Sequence, residues 1–331
     1  MPTITRSPGL WFDDGNIVLI ADKRVAFRVH RGVLTRHSSI FSDAFGLPQP
    51  GSAECYDGCP VLHISDQAAD VDFLLQALYD GIRFKPIGLR AQAAFAPHAA
   101  LLSLSHKYDI EHLREEAHLR IKSCFPYQFS EFRSSVRFPV VPGAGCVLRS
   151  STLEVQASRD AIRAVNIARL IDDRRMLPMA LYLCVQLPVT TLLAGIARSD
   201  PDSHCIDTLS QEDLVRCLEA RSILSERAYR KSARLWRTPT STSCRNPPRC
   251  AATWIARWNT AISRMATYTS PHPLPVSSSA DDAISLRYSG VCELCAQVLR
   301  DREDEELRYI WQKLPGDMNV VVPEWDSSNP T

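Results

Sequence analysis

The sequence predicts an α+β domain at the N-terminus, followed by an all-α domain. Short runs typical of strands occur at residues 16–22, 25–30 and 61–65, all within the first third of the chain. After a segment rich in proline and glycine at 126–151, the apolar residues recur at helical spacing. A chain of 331 residues is long enough for two domains of ordinary size.

The strands predict a short β-sheet flanked by helices. Residues 16–22 form an apolar run, and residues 25–30 place an apolar side chain at every second position. The polar residues 22–24 between them predict a tight turn, so these two strands form a hairpin. Residues 61–65 predict a third strand, because a loop rich in proline and glycine precedes them.

Two helices of this domain carry recognisable end signals. Ser38 is the expected N-cap of a short helix that buries Phe41 and Phe45. Residues 71–78 predict an amphipathic helix that ends at Gly81, since glycine readily adopts the left-handed conformation of a C-cap.

Composition and spacing also set the predicted domain boundaries. Seven further helices are predicted at 99–110, 111–125, 161–171, 176–187, 211–236, 251–267 and 292–314. We therefore assign residues 8–126 to the α+β domain, 127–151 to a linker and 152–331 to the helical domain. Within the helical domain, the proline- and serine-rich residues 269–282 predict a disordered loop.

Charge and hydropathy argue against several classes of protein. A formal net charge of +1 gives no electrostatic reason to expect a nucleic acid or an anionic membrane as partner. Residues 176–197 carry no charge, but Pro178 and Pro188 divide them, so we expect no membrane span. The N-terminus lacks the basic and apolar regions of a signal peptide. Eleven cysteines without dense spacing favour a reducing compartment, the cytoplasm or the nucleus.

The sequence contains no recognisable catalytic motif, and we expect no enzymatic activity. Residues 142–145 read PGAG, which lacks the third glycine of a dinucleotide-binding loop. His30 and His37 have no second metal ligand at suitable spacing and are expected to serve packing. His112 and His118 would lie about 120° apart on a helix, so they cannot share a face.

The candidate metal ligands are two pairs of cysteines in the C-terminal half, Cys244 with Cys250 and Cys292 with Cys295. Each pair precedes a predicted helix, where the helix dipole and free N–H groups favour thiolates. Four cysteine thiolates are one ligand set of structural zinc. Buried packing cysteines and a redox CxxC at Cys292 and Cys295 remain alternatives. Apart from this candidate zinc, no cofactor is expected.

The N-terminal residues resemble a BTB/POZ domain over about residues 8–125. The resemblance rests on the order of six motifs: Asp13–Asp14, V-H-R at 29–31, L-x-x-x-S-x-x-F at 34–41, V-L-H-I at 61–64, L-Y-D-G at 78–81 and H-K-Y-D-I at 106–110. The C-terminal half is similar to the helical region of the expanded BTB proteins of mushroom-forming (basidiomycete) fungi.

The resemblance implies a non-enzymatic protein–protein interaction module. BTB domains commonly self-associate, so the first expected partner is a second copy, in a scaffold or regulator. Many recruit substrates to cullin-type ubiquitin ligases, and a cullin adaptor is therefore the first alternative. A cysteine-based redox or zinc-dependent protein is the second. The chain has neither kelch repeats nor a tandem zinc-finger array, and no acidic cullin-contact motif can be assigned.

Overall fold

The structure is a computed structural model of the chain. It describes residues 4–47, 54–81, 93–136, 146–198, 205–237, 241–267, 271–274 and 290–326. The chain divides into two compact units. The first comprises Met1–Lys122 with Ala197–Ile206, and the second comprises Ser123–Ile196 with Asp207–Thr331.

The first unit combines a mixed sheet with helices. Its strands are β1 (Thr5–Trp11), β2 (Ile17–Ala21), β3 (Val25–Val29), β4 (Cys55–Tyr56), β5 (Cys59–Ile64) and β6 (Ala93–Ala94). Its helices are α1 (Arg31–His37), α2 (Ser39–Gly46), α3 (Ala68–Asp80), α4 (Phe95–Lys107) and α5 (Glu111–Lys122). The sheet has the order β1-β3-β2-β5-β4, with β2 antiparallel to β3 and parallel to β5. The predicted α+β domain is confirmed.

The core of the first unit is centred on β2. All five of its residues are buried, because β2 lies between β3 and β5 in the sheet. Asp22 and Lys23 form the predicted hairpin turn with φ angles of 50° and 56°, the left-handed values that a tight turn between twisted strands requires. Strand β1 is parallel to β3 and lies at the edge of the sheet.

Both predicted helix-end signals are present in the first unit. The Ser38 hydroxyl accepts a hydrogen bond of 3.0 Å from the Phe41 N–H at the start of α2. The same hydroxyl donates to the carbonyl of Tyr108, whose ring stacks on Phe41 at 4.4 Å. Gly81 ends α3 with φ of 71°, in the left-handed region that glycine adopts at little cost.

The second unit is mainly helical, as predicted. Its helices are α6 (Phe129–Ser135), α7 (Ala157–Leu170), α8 (Leu177–Val185), α9 (Val189–Ala194), α10 (Gln211–Arg237), α11 (Pro247–Thr267) and α12 (Glu293–Asp317). Strands β7 (Val147–Arg149) and β8 (Leu153–Gln156) form an antiparallel hairpin. The short strands β9 (Ile196–Ala197) and β10 (Ile206–Asp207) lie where the chain passes between the units.

Two segments of the second unit differ from a simple helical pattern. The predicted linker 127–151 contains α6 and β7 in its described parts, because Phe129 and Phe132 pack around the buried Trp311. Of the predicted loop 269–282, only residues 271–274 are described, and the PGAG sequence lies outside the described residues.

The uncharged residues 176–197 contain the core helix α8 and the short helix α9, in which Leu192 is the buried residue. All nine residues of α8 are buried within the second unit, which accounts for their apolar character. Among the described helices, none combines the length and the apolarity needed to cross a bilayer.

Candidate functional site

The structure brings together the four cysteines that the sequence analysis singled out. The Sγ atoms of Cys244, Cys250, Cys292 and Cys295 all lie within 4.8 Å of one another, and those of Cys244 and Cys292 are 3.7 Å apart. A tetrahedral site with zinc–sulfur bonds of about 2.3 Å places its sulfurs about 3.8 Å apart. These four residues, the cysteine cluster, could therefore bind a metal ion.

Two helix N-termini position the cysteine cluster. Cys250 lies in the first turn of α11, which begins at Pro247, a residue suited to a first turn because it has no N–H to satisfy. Cys292 is the N-cap of α12, and Cys295 follows in its first turn. Cys244 precedes α11, and its N–H donates to the carbonyl of Ser241 at 3.0 Å.

Backbone N–H groups point at the sulfurs of the cluster. The N–H of Cys292 donates to Sγ of Cys250 at 3.2 Å. The N–H groups of Arg245 and Cys295 donate to the sulfur of Cys292, and these hydrogen bonds lower the pKa of that thiol to about 6. Burial raises the pKa of Cys295 to about 12. The environment of the cluster thus favours the thiolate most strongly at Cys292.

A small core and a turn formed by a glycine support the cluster. Cys250 and Cys295 are fully buried and pack with Trp254, Ala296 and Leu299. Gly290 has φ of +95°, and a Cβ added there would lie 2.9 Å from Oγ1 of Thr253. The turn that leads into Cys292 therefore requires glycine.

The first unit exposes a sheet edge and, at helix α2, two apolar side chains. Strand β1 lies at the sheet edge, and four of its seven residues are exposed. Ile40 and Leu47 are 46% and 66% exposed, although both are apolar. Ile40 lies in the first turn of α2, and Leu47 is the C-cap residue directly after it.

The comparison with protein families identifies this unit. Residues 12–123 match the model of the BTB/POZ domain. The chain contains a BTB/POZ domain. The predicted resemblance of the N-terminal residues to a BTB/POZ domain is thereby confirmed, and the chain carries a protein–protein interaction module. A search of curated proteins found no match to the chain.

The histidines of the BTB/POZ domain have structural partners. The N–H of His30 donates to the hydroxyl of Tyr79 at 2.9 Å, and its Nδ1 lies at the same distance from that hydroxyl. Nε2 of His30 lies 3.2 Å from Asp14. The rings of His37 and His112 are 5.0 Å apart. Within the described residues, the cysteine cluster is the only group of three or more His, Cys, Asp or Glu residues close enough to hold a metal.

The second unit contains one contact that the sequence analysis missed. Sγ of Cys146 lies 3.7 Å from Nε2 of His272, and the hydroxyl of Tyr182 hydrogen-bonds Nδ1 of the same ring. Burial lowers the pKa of His272 to about 3 and raises that of Cys146 to about 12. Both groups are therefore neutral at pH 7, which is unlike the thiolate–imidazolium pair of a cysteine nucleophile. No motif connects these residues, because 126 positions separate them.

Proposed function

We propose that this chain is a self-associating scaffold or regulator, in which the BTB/POZ domain binds the BTB/POZ domain of a second copy. The match over residues 12–123 is the observation that supports this proposal most strongly, because such domains commonly self-associate. The eleven cysteines lack the dense spacing of a secreted disulfide scaffold, which supports a reducing compartment, the cytoplasm or the nucleus.

The surface of the BTB/POZ domain supports the same proposal. Helix α2 buries Phe41 and Phe45, whereas Ile40 on this helix and its C-cap residue Leu47 are exposed to water. Covering these two side chains with a second copy would remove apolar surface from water, which is favourable. The exposed edge strand β1 offers backbone N–H and C=O groups to a strand of the partner.

Light scattering of the purified full chain tests self-association. We expect the mass of a dimer for the wild type. The double variant Ile40→Glu/Leu47→Glu should weaken the dimer by at least about tenfold in dissociation constant, because it places charge in an apolar contact. The matched control is Leu119→Glu, since Leu119 is 69% exposed on α5 and should tolerate the charge without dissociation. A monomeric mass for the wild type at high concentration would refute the proposal.

Affinity purification separates the scaffold from the ubiquitin-ligase adaptor. The scaffold predicts that a tagged chain recovers untagged copies of itself and no cullin. Recovery of a cullin at comparable yield would assign the adaptor role instead. The Ile40→Glu/Leu47→Glu variant gives a further control for this experiment. The tagged variant should no longer recover the untagged copy, whereas binding of a cullin to any other surface should be unchanged.

A further inference from the structure

We propose that the cysteine cluster binds one Zn²⁺ ion as a structural site. The inference is independent of the proposed self-association, because it concerns the second unit alone. It rests on three observations: the identity and spacing of the four sulfurs, the N–H groups directed at them, and the small core around them.

The ligand set and its spacing favour a metal over packing. Four sulfurs from two segments, with Cys250 and Cys292 separated by 42 positions, meet within a sphere that fits a tetrahedral ion. Cysteines that served only as small apolar side chains would gain nothing from directing four sulfurs at one point. Four thiolates in tetrahedral array are typical of zinc or iron, and zinc is the common structural choice.

The same spacing distinguishes the cluster from a redox pair. A redox dithiol requires only two sulfurs, which can approach to about 2.05 Å in a disulfide. Two further cysteine sulfurs beside this pair have no role in that reaction. Here the sulfurs of Cys244 and Cys250 also lie within 4.8 Å of the sulfurs of the CxxC pair. All four coordination positions come from the protein, so the site is closed and structural rather than catalytic.

The hydrogen bonds of the cluster suit a bound tetrathiolate. Four thiolates around Zn²⁺ carry a net charge of about −2, which has to be stabilised by the protein. The N–H of Cys292 donates to Sγ of Cys250, and the N–H groups of Arg245 and Cys295 donate to Sγ of Cys292. The N-terminal ends of α11 and α12 place their positive dipole ends at the same point.

The metal would join the first turns of α11 and α12. Within the described part of the chain, the core cluster here contains, besides the two buried cysteines, Trp254, Ala296 and Leu299, with the partly buried Val291 packed against them. A bound ion also closes the long loop between Cys250 and Cys292, which removes conformational freedom from the unfolded chain. The bound ion would therefore hold the N-terminal ends of these two helices together.

Metal analysis of the purified full chain gives the first test. We expect about one zinc per chain after dialysis against metal-free buffer. Cys292→Ser should lose most of it, and this half-buried position should tolerate serine in the fold. The control is Cys55→Ser, an exposed cysteine of the BTB/POZ domain, which should keep the full amount. Wild-type protein without zinc that takes up none when it is added would overturn the proposal, and stoichiometric iron would overturn the choice of metal.

Cobalt gives a second test that needs no variant to fold. Metal-free wild-type chain titrated with Co²⁺ should develop intense thiolate-to-cobalt charge-transfer bands and the visible bands of a tetrahedral ion, saturating at about one equivalent. Zinc added afterwards should abolish both. A weak octahedral spectrum without thiolate-to-cobalt bands would contradict a four-cysteine site.

Discussion

The BTB/POZ domain and the cysteine cluster show two different ways of holding secondary structure together. In the BTB/POZ domain, β2 is buried along its whole length, and side chains such as Phe27, Leu34 and Leu74 are at most 1% exposed. At the cysteine cluster, five of the described side chains form the buried core, and two of these five are cysteines. The first region can be stable on apolar burial alone, whereas we propose that the second, which buries fewer side chains, is stabilised by a bound ion.

This difference has a practical consequence, because the two regions should respond to different perturbations. Truncation of a buried side chain should damage the BTB/POZ domain whether or not metal is present. Removal of metal should damage only the helix pair at the cysteine cluster.

The largest effect is expected for Phe27→Ala in β3. Phe27 is 1% exposed, so its removal leaves a cavity in the sheet core and should cost about 3–5 kcal/mol of unfolding free energy. Urea denaturation of the full chain measures this cost, with Leu119→Ala as the exposed control that should change it by less than about 0.5 kcal/mol. If a metal chelator changed the cost of Phe27→Ala, the two regions would not be independent in the way we describe.

A pH effect on the order of 3 kcal/mol is expected in the second unit. Burial lowers the pKa of His272 from 6.5 to about 3, with a further contribution from Lys231, so the folded state holds this ring neutral. The unfolded chain takes up the proton more readily, and stability should therefore be complete above pH 6.5 and fall as the pH drops towards 3.

His272→Asn tests the assignment of this pH effect. Asparagine can accept the hydrogen bond from the Tyr182 hydroxyl but does not titrate. Thermal unfolding of the variant should show a smaller loss of stability between pH 6.5 and 3 than the wild type. Identical acid sensitivity in the two proteins would assign the effect to other groups.

The turn before Cys292 is predicted to show an intermediate effect. Gly290→Ala forces an alanine into φ of +95° and against Thr253, which should cost about 1–2 kcal/mol. Since this turn delivers Cys292, the variant should also bind zinc more weakly in competition with a chromophoric chelator. The control is Gly316→Ala on α12, where an added Cβ meets nothing within 4 Å and helix propensity should improve. Equal stability and equal zinc affinity of the two variants would show that the turn at Gly290 does not position Cys292.

The smallest effect is expected at the N-cap of α2. Ser38→Ala removes the acceptor for the Phe41 N–H and the donor to the Tyr108 carbonyl, and should cost about 1 kcal/mol. Ser39→Ala, at the neighbouring exposed position, should have an effect below about 0.5 kcal/mol in the same urea titration. A larger cost at Ser39 than at Ser38 would show that the capping geometry is not what stabilises this helix.

Local patterns were sufficient to predict much of the BTB/POZ domain. Alternation in β3 and the polar turn at Asp22 predict the hairpin, and Ser38 and Gly81 mark helix ends that the structure confirms. Strand β1 was missed. Its sequence TRSPGLW contains proline and glycine and does not alternate, and it is a strand only because it pairs with β3 some twenty residues later.

The candidate site was predictable from the sequence only where its residues form a local motif. Cys292 and Cys295 form a recognisable local motif, but the spacing of Cys244 and Cys250 is wide, and only the fold brings the pairs together.

The hairpin β7–β8 was missed because each strand has no more than four residues. The contact of Cys146 with His272 had no sequence signal, since nothing local distinguishes either residue.

Hydrogen exchange of the full chain with and without a strong chelator tests the central claim most directly. We predict that backbone amides in the first turns of α11 and α12 exchange at least about tenfold faster once metal is removed, while the amides of β2 keep their protection. Readdition of Zn²⁺ should restore the slow exchange. Unchanged protection at both helix ends, or equal loss of protection in β2, would contradict the division between an apolar core and a metal staple.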